Sequence, residues 1–463
     1  MSPTTGLAPS SSLLTTVTLV GTLGAAGLPW TPRAVAGEGR TRARPNVILI
    51  LSDDQGTVDV TCYGARDLHT PHLDALAARG VRFTQFYAAA PICSPSRAAL
   101  MTGRYPQRAG VPTNMPGHPG KPGMPTEQVT LSEIMHQGGY RTALLGKWHL
   151  GASDDTDPPA QGFDEFFGHR AGCIDNYSHY FHWAGPIFHD LWRGRQEVWE
   201  DGTHFGDLIV REAKRFVEEN KDRPFFLYLA FNCPHYPYQG QSKFRRMYQQ
   251  LPEPRRSYAA FLSTMDDKIG QVLATVDALG LRDRTLVVFL SDQGHSTEER
   301  AGFGGGSAGP YRGAKFSLLE GGIRVPCIAS LPGRIPAGQV RDQFAANVDW
   351  VPTIASLCGI TLPNVLIDGK DITPLLESPV ARSPHDVFHW QLDDQWAVRE
   401  GDWKLVVNGR DSDRLPLKGD DKTFLSNMAA DVTERKNIAK NHPDIVDRLT
   451  KRHVEWVEQV KQQ

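Results

Sequence analysis

Pro45-Asn46-Val47-Ile48-Leu49-Ile50-Leu51-Ser52-Asp53-Asp54 decides how this chain folds. Its apolar core does not alternate with polar residues, and polar turn formers follow it. That pattern reads as a strand buried on both faces, the signature of a parallel sheet. It recurs twice. Phe225-Phe226-Leu227-Tyr228-Leu229-Ala230-Phe231 ends at Asn232-Cys233-Pro234-His235, and Thr285-Leu286-Val287-Val288-Phe289-Leu290 ends at Ser291-Asp292. Helical spacing fills the intervals at 70–80, 207–220 and 258–279, the first with a Thr70 cap, Pro71 in its first turn and Gly80 at its end. Alternating strands and helices predict an α/β fold with a central, mostly parallel sheet covered by helices. In such sheets ligands bind beyond the carboxyl ends of the strands, where these polar residues fall.

After Thr373-Pro374 the pattern changes. Val387-Phe388-His389-Trp390, Gln395-Trp396-Ala397-Val398-Arg399 and Trp403-Lys404-Leu405-Val406-Val407 are short and separated by polar turns, which predicts an antiparallel sheet. Residues 443–461 read as one amphipathic helix. At 463 residues the chain exceeds what a single core usually serves. We expect a large domain over 37–375 and a smaller α+β subdomain over 376–463. Glycine- and proline-rich stretches at 111–125 and 302–309 read as long loops beside the site.

Residues 11–28 form an apolar, small-residue stretch, and Ala34-Val35-Ala36 offers a cleavage site. Residues 1–36 therefore read as a signal peptide, although no Lys or Arg precedes Arg33. The expected location is periplasmic or secreted, in a bacterium, with no integral membrane segment in the mature chain. A net charge of −2 gives no basic surface for nucleic acid. Six cysteines match neither a zinc-site spacing nor a dense disulfide framework, and Cys233, Cys327 and Cys358 sit in apolar contexts.

The chemistry-bearing residues cluster at strand ends. Asp53 and Asp54 close the first run; Asp292 and Gln293 close the third. If these strands are neighbours, the carboxylates need a cation, and hard oxygen donors select Ca²⁺ or Mg²⁺; adjacent aspartates can equally cap a helix. Gly146-Lys147-Trp148-His149 sets a cation and an imidazole two apart, on one face if the segment is extended. Pro234-His235-Tyr236-Pro237 fixes a histidine between prolines, and Lys315 precedes the glycine-rich Glu320-Gly321-Gly322-Ile323-Arg324.

Cys93-Ser94-Pro95-Ser96-Arg97, followed by Thr102-Gly103-Arg104, resembles the formylglycine signature of type I sulfatases, a family of the alkaline phosphatase superfamily. Ser52-Asp53-Asp54, the helix after Pro71, Gly146 to Gly151, Pro224 to His235, Ser291 to Gly294 and Glu320 to Pro326 match that family's other motifs in order. The resemblance implies an alkaline-phosphatase-like large domain that hydrolyses sulfate esters. It implies that Cys93 is converted to formylglycine by a maturing enzyme. It further implies one calcium ion at Asp53, Asp54, Cys93, Asp292 and Gln293, the last standing where the family often has Asn. Arg97, Lys147, His149, His235 and Lys315 then take the catalytic roles, with Arg97 and Lys147 offsetting sulfuryl charge. His235 or Lys315 protonates the leaving alcohol, and His149 acts as base.

A phosphate or phosphonate ester hydrolase of the same superfamily, or a non-catalytic binder of sulfated glycans, are the competing readings. The substrate is expected to be a sulfated carbohydrate rather than a small aryl sulfate. His169, Asn176, Tyr177, His179, His182 and Trp183, in a polar-aromatic insert, suit either a sugar ring or loop packing.

Overall fold

All seven residues of the strand Asn46–Ser52 are buried. Val47, Leu49 and Leu51 face one apolar core, while Ile48 and Ile50 face another. Each such aliphatic side chain stabilises the fold by roughly 1.5–3 kcal/mol on burial. The structure, a computed structural model, describes residues 44–461 except 119 and 184. The expected signal peptide at 1–36 lies outside the described residues.

Asn46–Ser52 sits near the middle of a ten-stranded sheet. It pairs in parallel with Thr285–Ser291 on one side and Phe225–Ala230 on the other. Phe225–Ala230 continues in parallel to Arg141–Lys147, and that strand to Glu165–His169. Cys327–Ser330 runs antiparallel to Thr285–Ser291, so the sheet is mixed. One face packs on the helices Cys93–Thr102, Leu131–Gln137 and Trp350–Cys358. The other packs on Phe205–Glu219 and Arg255–Ala278. Gly146 must be glycine: its φ is 126°, and a Cβ there would stand 1.9 Å from the Ala230 carbonyl oxygen of the neighbouring strand.

Val387–Leu392, Gln395–Glu400, Trp403–Val407 and Thr423–Asn427 form a separate antiparallel sheet. The helix Pro443–Lys461 packs on it, with the His453 ring stacked on Trp396 at 4.2 Å. The fourth strand went unread because it follows a polar stretch with no apolar alternation. This sheet grips the large one through a buried charge cluster. Lys404 Nζ lies 2.9 Å from both Glu320 and Glu434, with all three side chains fully buried. Arg324 and the Tyr87 hydroxyl bind the same Glu320.

One local reading is corrected. The Thr70 hydroxyl accepts from Thr61 N rather than capping the helix Pro71–Ala78. Asp266 caps it instead, accepting from His72 N and Leu73 N at 3.1 and 2.8 Å. Cys93–Thr102 is a helix, with Pro95 in the first turn where the missing N–H costs nothing.

Candidate active site

Four adjacent parallel strands end at one place. In sheet order they deliver Asp292 and Gln293, then Asp53 and Asp54, then His235, then Lys147. The helix Cys93–Thr102 adds Cys93 from its first residue and Arg97 one turn later, both buried. Lys315 comes from the loop after Thr285–Ser291, its N–H donating to the His295 carbonyl at 2.9 Å. Beyond that contact His295 has no visible part in the site.

The contacts are close and mostly ionic. Lys147 Nζ donates to Asp53 Oδ2 at 2.7 Å. Arg97 donates through Nε and Nη2 to Asp292 Oδ2 at 3.1 and 2.8 Å, and its Nη2 lies 3.5 Å from Asp53 Oδ1. Lys315 Nζ donates to Asp54 Oδ2 at 2.8 Å. His235 Nε2 lies 3.6 Å from that same oxygen, while Nδ1 donates to the Tyr236 carbonyl at 2.7 Å. Cys93 Sγ lies 3.7 Å from Asp53 Oδ1 and 3.5 Å from Gln293 Nε2. Gln293 Nε2 also donates to Asp54 Oδ1, and its Oε1 is buried without a partner. Asp53, Asp54 and Cys93 bring ligand atoms within 4.8 Å of one another.

The electrostatics follow from this crowding. Burial and neighbouring carboxylates push Asp54 and Asp292 up, against Lys315 and Arg97. Asp53 goes the other way: burial raises it, but Lys147, His235 and Arg97 together hold it well below the carboxylate range. Burial pushes the Cys93 thiol up to about 12. Burial and Lys147 hold His149 well below the usual imidazole range, and burial brings His235 down to about 3.

Above these groups lies a cavity of about 330 Å³ whose lining includes Cys93, His149, His235 and Lys315. His149 arrives there differently from the period-two expectation. The strand ends at Lys147, and His149 adopts φ 59°, so a turn rather than an extended segment brings the two residues to one site. The loop 111–125 lines the cavity through Asn114, Met115, Pro116 and His118. The loop 302–309 packs behind the strand end instead, where Ser307 N donates to Asp59 Oδ2 at 2.7 Å.

Of the six insert residues, only Trp183 lines the cavity. Arg300 stacks over its ring at 4.8 Å. Asn176 is fully buried, its amide spent on Gln239 and Asn232, so it holds the scaffold and offers no glycosylation site. His118, Phe181 and Phe316 line the cavity without any signal in the sequence, since each lies in a loop or a two-residue strand too short to show periodicity. Glu298, 3.6 Å from Lys315 Nζ, was missed for the same reason.

A sequence model of the family described as Sulfatase matches residues 45–360. One described as N-sulphoglucosamine sulphohydrolase, C-terminal, matches 314–458. Arylsulfatase A of Homo sapiens is 36% identical over 385 residues, covering 78% of this chain and 74% of that protein. N-acetylgalactosamine-6-sulfatase of Canis lupus familiaris is 34% identical over 384 residues, covering 78% and 71%. The solved structure of Ps i-CgsB in complex with k-i-k-neocarrahexaose superposes with a TM-score of 0.81 at 30% identity, covering 89% of this chain and 92% of that one. With its acid-lined strand ends and the signature helix beneath the cavity, this chain belongs to the sulfatase family of the alkaline phosphatase superfamily and is a sulfuric ester hydrolase.

Proposed function

We propose that the protein hydrolyses sulfate esters of carbohydrates, using a formylglycine made from Cys93 and one calcium ion held by Asp53, Asp54, Asp292 and Gln293. The single observation that carries this is the convergence of those oxygen donors with Cys93, Arg97, Lys147 and Lys315 behind one cavity, which Cys93 and Lys315 line.

The residues present fit both groups. Carboxylates and an amide oxygen are hard donors suited to calcium. Gln293 Oε1 is a buried acceptor in want of a partner. A half-turn of the amide would carry it to the place Nε2 holds between Asp54 and Cys93. Three carboxylates, Asp53, Asp54 and Asp292, face three cations, Arg97, Lys147 and Lys315. A dication added to that balanced set leaves an excess of positive charge, which suits an anionic ester. When formed, hydrated formylglycine supplies a geminal pair of hydroxyls, one to attack sulfur and one to expel sulfate, and the ion supplies Lewis-acid charge.

The chain's own residues do the remainder. Arg97 holds Asp292 through two donors and so fixes the acidic cradle. Lys147 and Lys315 place fixed positive charge beside the reacting centre, where exclusion of water makes it most effective. His235 and Lys315 both stand at the cavity, so either can give a proton to the departing alcohol oxygen. With Nδ1 held by the Tyr236 carbonyl and the ring kept neutral by burial, His235 can act as the acid only once the bound anionic ester has drawn a proton onto Nε2, a step Lys315 does not need. His149, kept neutral by burial, serves as the base.

The carbohydrate preference rests on the Trp183 and His118 walls and on the named substrates of relatives. The apolar stretch at 11–28 supports export, and a sulfatase-maturing enzyme is the implied partner. Among the described residues no helix is long and apolar enough to cross a membrane.

A panel of sulfated glycans, aryl sulfates and matched phosphate esters tests the reading. Sulfated glycans should be turned over fastest; faster release of phosphate than of sulfate would sink it. Trp183→Ala should raise KM for a glycan about tenfold and leave kcat within about twofold, because a wall contact serves ground and transition states alike. Chelating calcium should lower kcat at least about 100-fold, restored on adding calcium back, with calorimetry reading one ion per chain. Full activity in the chelated protein would remove the metal from the proposal.

A further inference from the structure

A second group of ligands lies outside the catalytic cavity. The short strands Tyr180–Phe181 and Phe188–His189 pair as a hairpin, with Asp190 N donating to the His179 carbonyl at 3.0 Å. His179 Nε2 meets the Thr203 carbonyl at 3.1 Å. A carbonyl only accepts, so the proton is on Nε2 and Nδ1 carries a lone pair. His189 Nδ1 meets Glu197 Oε1 at 2.8 Å, which likewise leaves the lone pair on Nε2. Those two nitrogens are buried and have no hydrogen-bond partner, and their residues are 0% and 6% exposed. Both face Asp201 Oδ1, at 3.9 Å from His179 and 3.8 Å from His189. The three atoms lie within 4.8 Å of one another. Two imidazole lone pairs turned toward one carboxylate cannot bond to one another or to it; a shared cation resolves the conflict. Each histidine is already oriented by an acceptor on its far nitrogen, the arrangement that fixes metal-bound histidines.

We propose that His179 Nδ1, His189 Nε2 and Asp201 Oδ1 bind a divalent transition-metal ion of the zinc class, with water as the fourth ligand. Two imidazoles and a carboxylate suit Zn²⁺ rather than Ca²⁺, which wants an all-oxygen shell. Zinc–nitrogen bonds of about 2.0–2.1 Å place tetrahedral ligand atoms about 3.3 Å apart, so each edge to Asp201 closes by about half an ångström. Asp201 can supply that movement, because its side chain is 54% exposed. His189 is braced on its face by Trp199, stacked at 3.8 Å. The ion fastens the hairpin to the turn ahead of Phe205–Glu219. That hairpin presents Phe181, with Trp183 two residues on, to the cavity, so the ion holds a substrate-facing wall without touching the reacting atoms.

The test uses the full chain, stripped of transition metals and held in excess calcium, so that its outcome is independent of the sulfatase reading. Titration with Co²⁺ should give one equivalent with the visible absorption of a four-coordinate nitrogen and oxygen shell, displaced by Zn²⁺. Asp201→Asn, at an exposed position, and His189→Gln should each weaken binding at least about tenfold, and Glu197→Gln should weaken it about 10- to 100-fold through the outer shell. No saturable Co²⁺ spectrum in the wild-type chain would overturn the proposal. So would an unchanged spectrum and affinity in Asp201→Asn, which decides the matter even if a histidine variant fails to fold.

Discussion

Cys93→Ala should lower kcat/KM for every sulfate ester by at least about a thousandfold, because it removes the group proposed to become the nucleophile. The melting temperature should move by only a few degrees, since the side chain is small and borders the cavity. Wild-type chain made without a maturing enzyme should behave like the variant, folded and inactive. Mass spectrometry of the peptide spanning Cys93 reads the difference between the thiol and the aldehyde. An active preparation whose Cys93 is wholly thiol would refute the formylglycine mechanism. A chain whose aldehyde content tracks its activity would support it.

Lys404→Met should destabilise the protein by about 3–5 kcal/mol, the usual result of breaking a buried pair by removing one partner. Lys404 is fully buried between Glu320 and Glu434. Glu320 keeps Arg324 and Tyr87; Glu434 keeps only the N–H of Glu320, at 2.6 Å, and burial pushes its carboxyl up. A carboxyl raised in the folded state costs stability as pH climbs from its unfolded value near about 4.3 towards the folded one. The variant should therefore lose more at pH 8 than at pH 5, as read by urea unfolding at both. An equal and small loss at both would show that the cluster is not what joins the two sheets. Activity should fall with it: Gln395 Nε2 donates to the Phe316 carbonyl at 2.8 Å and Ser317 Oγ to the Arg410 carbonyl at 2.6 Å, so the antiparallel sheet straps the segment carrying Lys315.

The parallel core was legible because burial on both faces leaves an unbroken apolar run, as in Asn46–Ser52. Strand ends then pointed to Asp53, Asp54, Asp292, Gln293 and His235, which the structure brings to one place. Lys147 and His149 were found by a valid spacing for an invalid reason, since the backbone turns between them. The cavity walls were legible only in part: the loop 111–125 and Trp183 were placed near the site, but not the other side chains that face it. His118 lies in a proline- and glycine-rich loop, and Phe181 in a two-residue strand, so tertiary packing alone sets where they point. In the insert the loop-packing alternative holds for Asn176 and His179, which are buried and hydrogen-bonded to Gln239 and to the Thr203 carbonyl.

The helix Cys93–Thr102 is buried along all ten of its residues. A small ester can reach Cys93 from the cavity, but another protein that must draw several residues of backbone into its own cleft cannot. On the formylglycine proposal, an enzyme that alters this side chain therefore races the docking of the helix. The outcome is settled while the chain is still young, and a molecule that folds first is excluded for the rest of its life. A purified sample can then hold two populations alike in shape and unequal in competence, in a ratio set by the timing of synthesis.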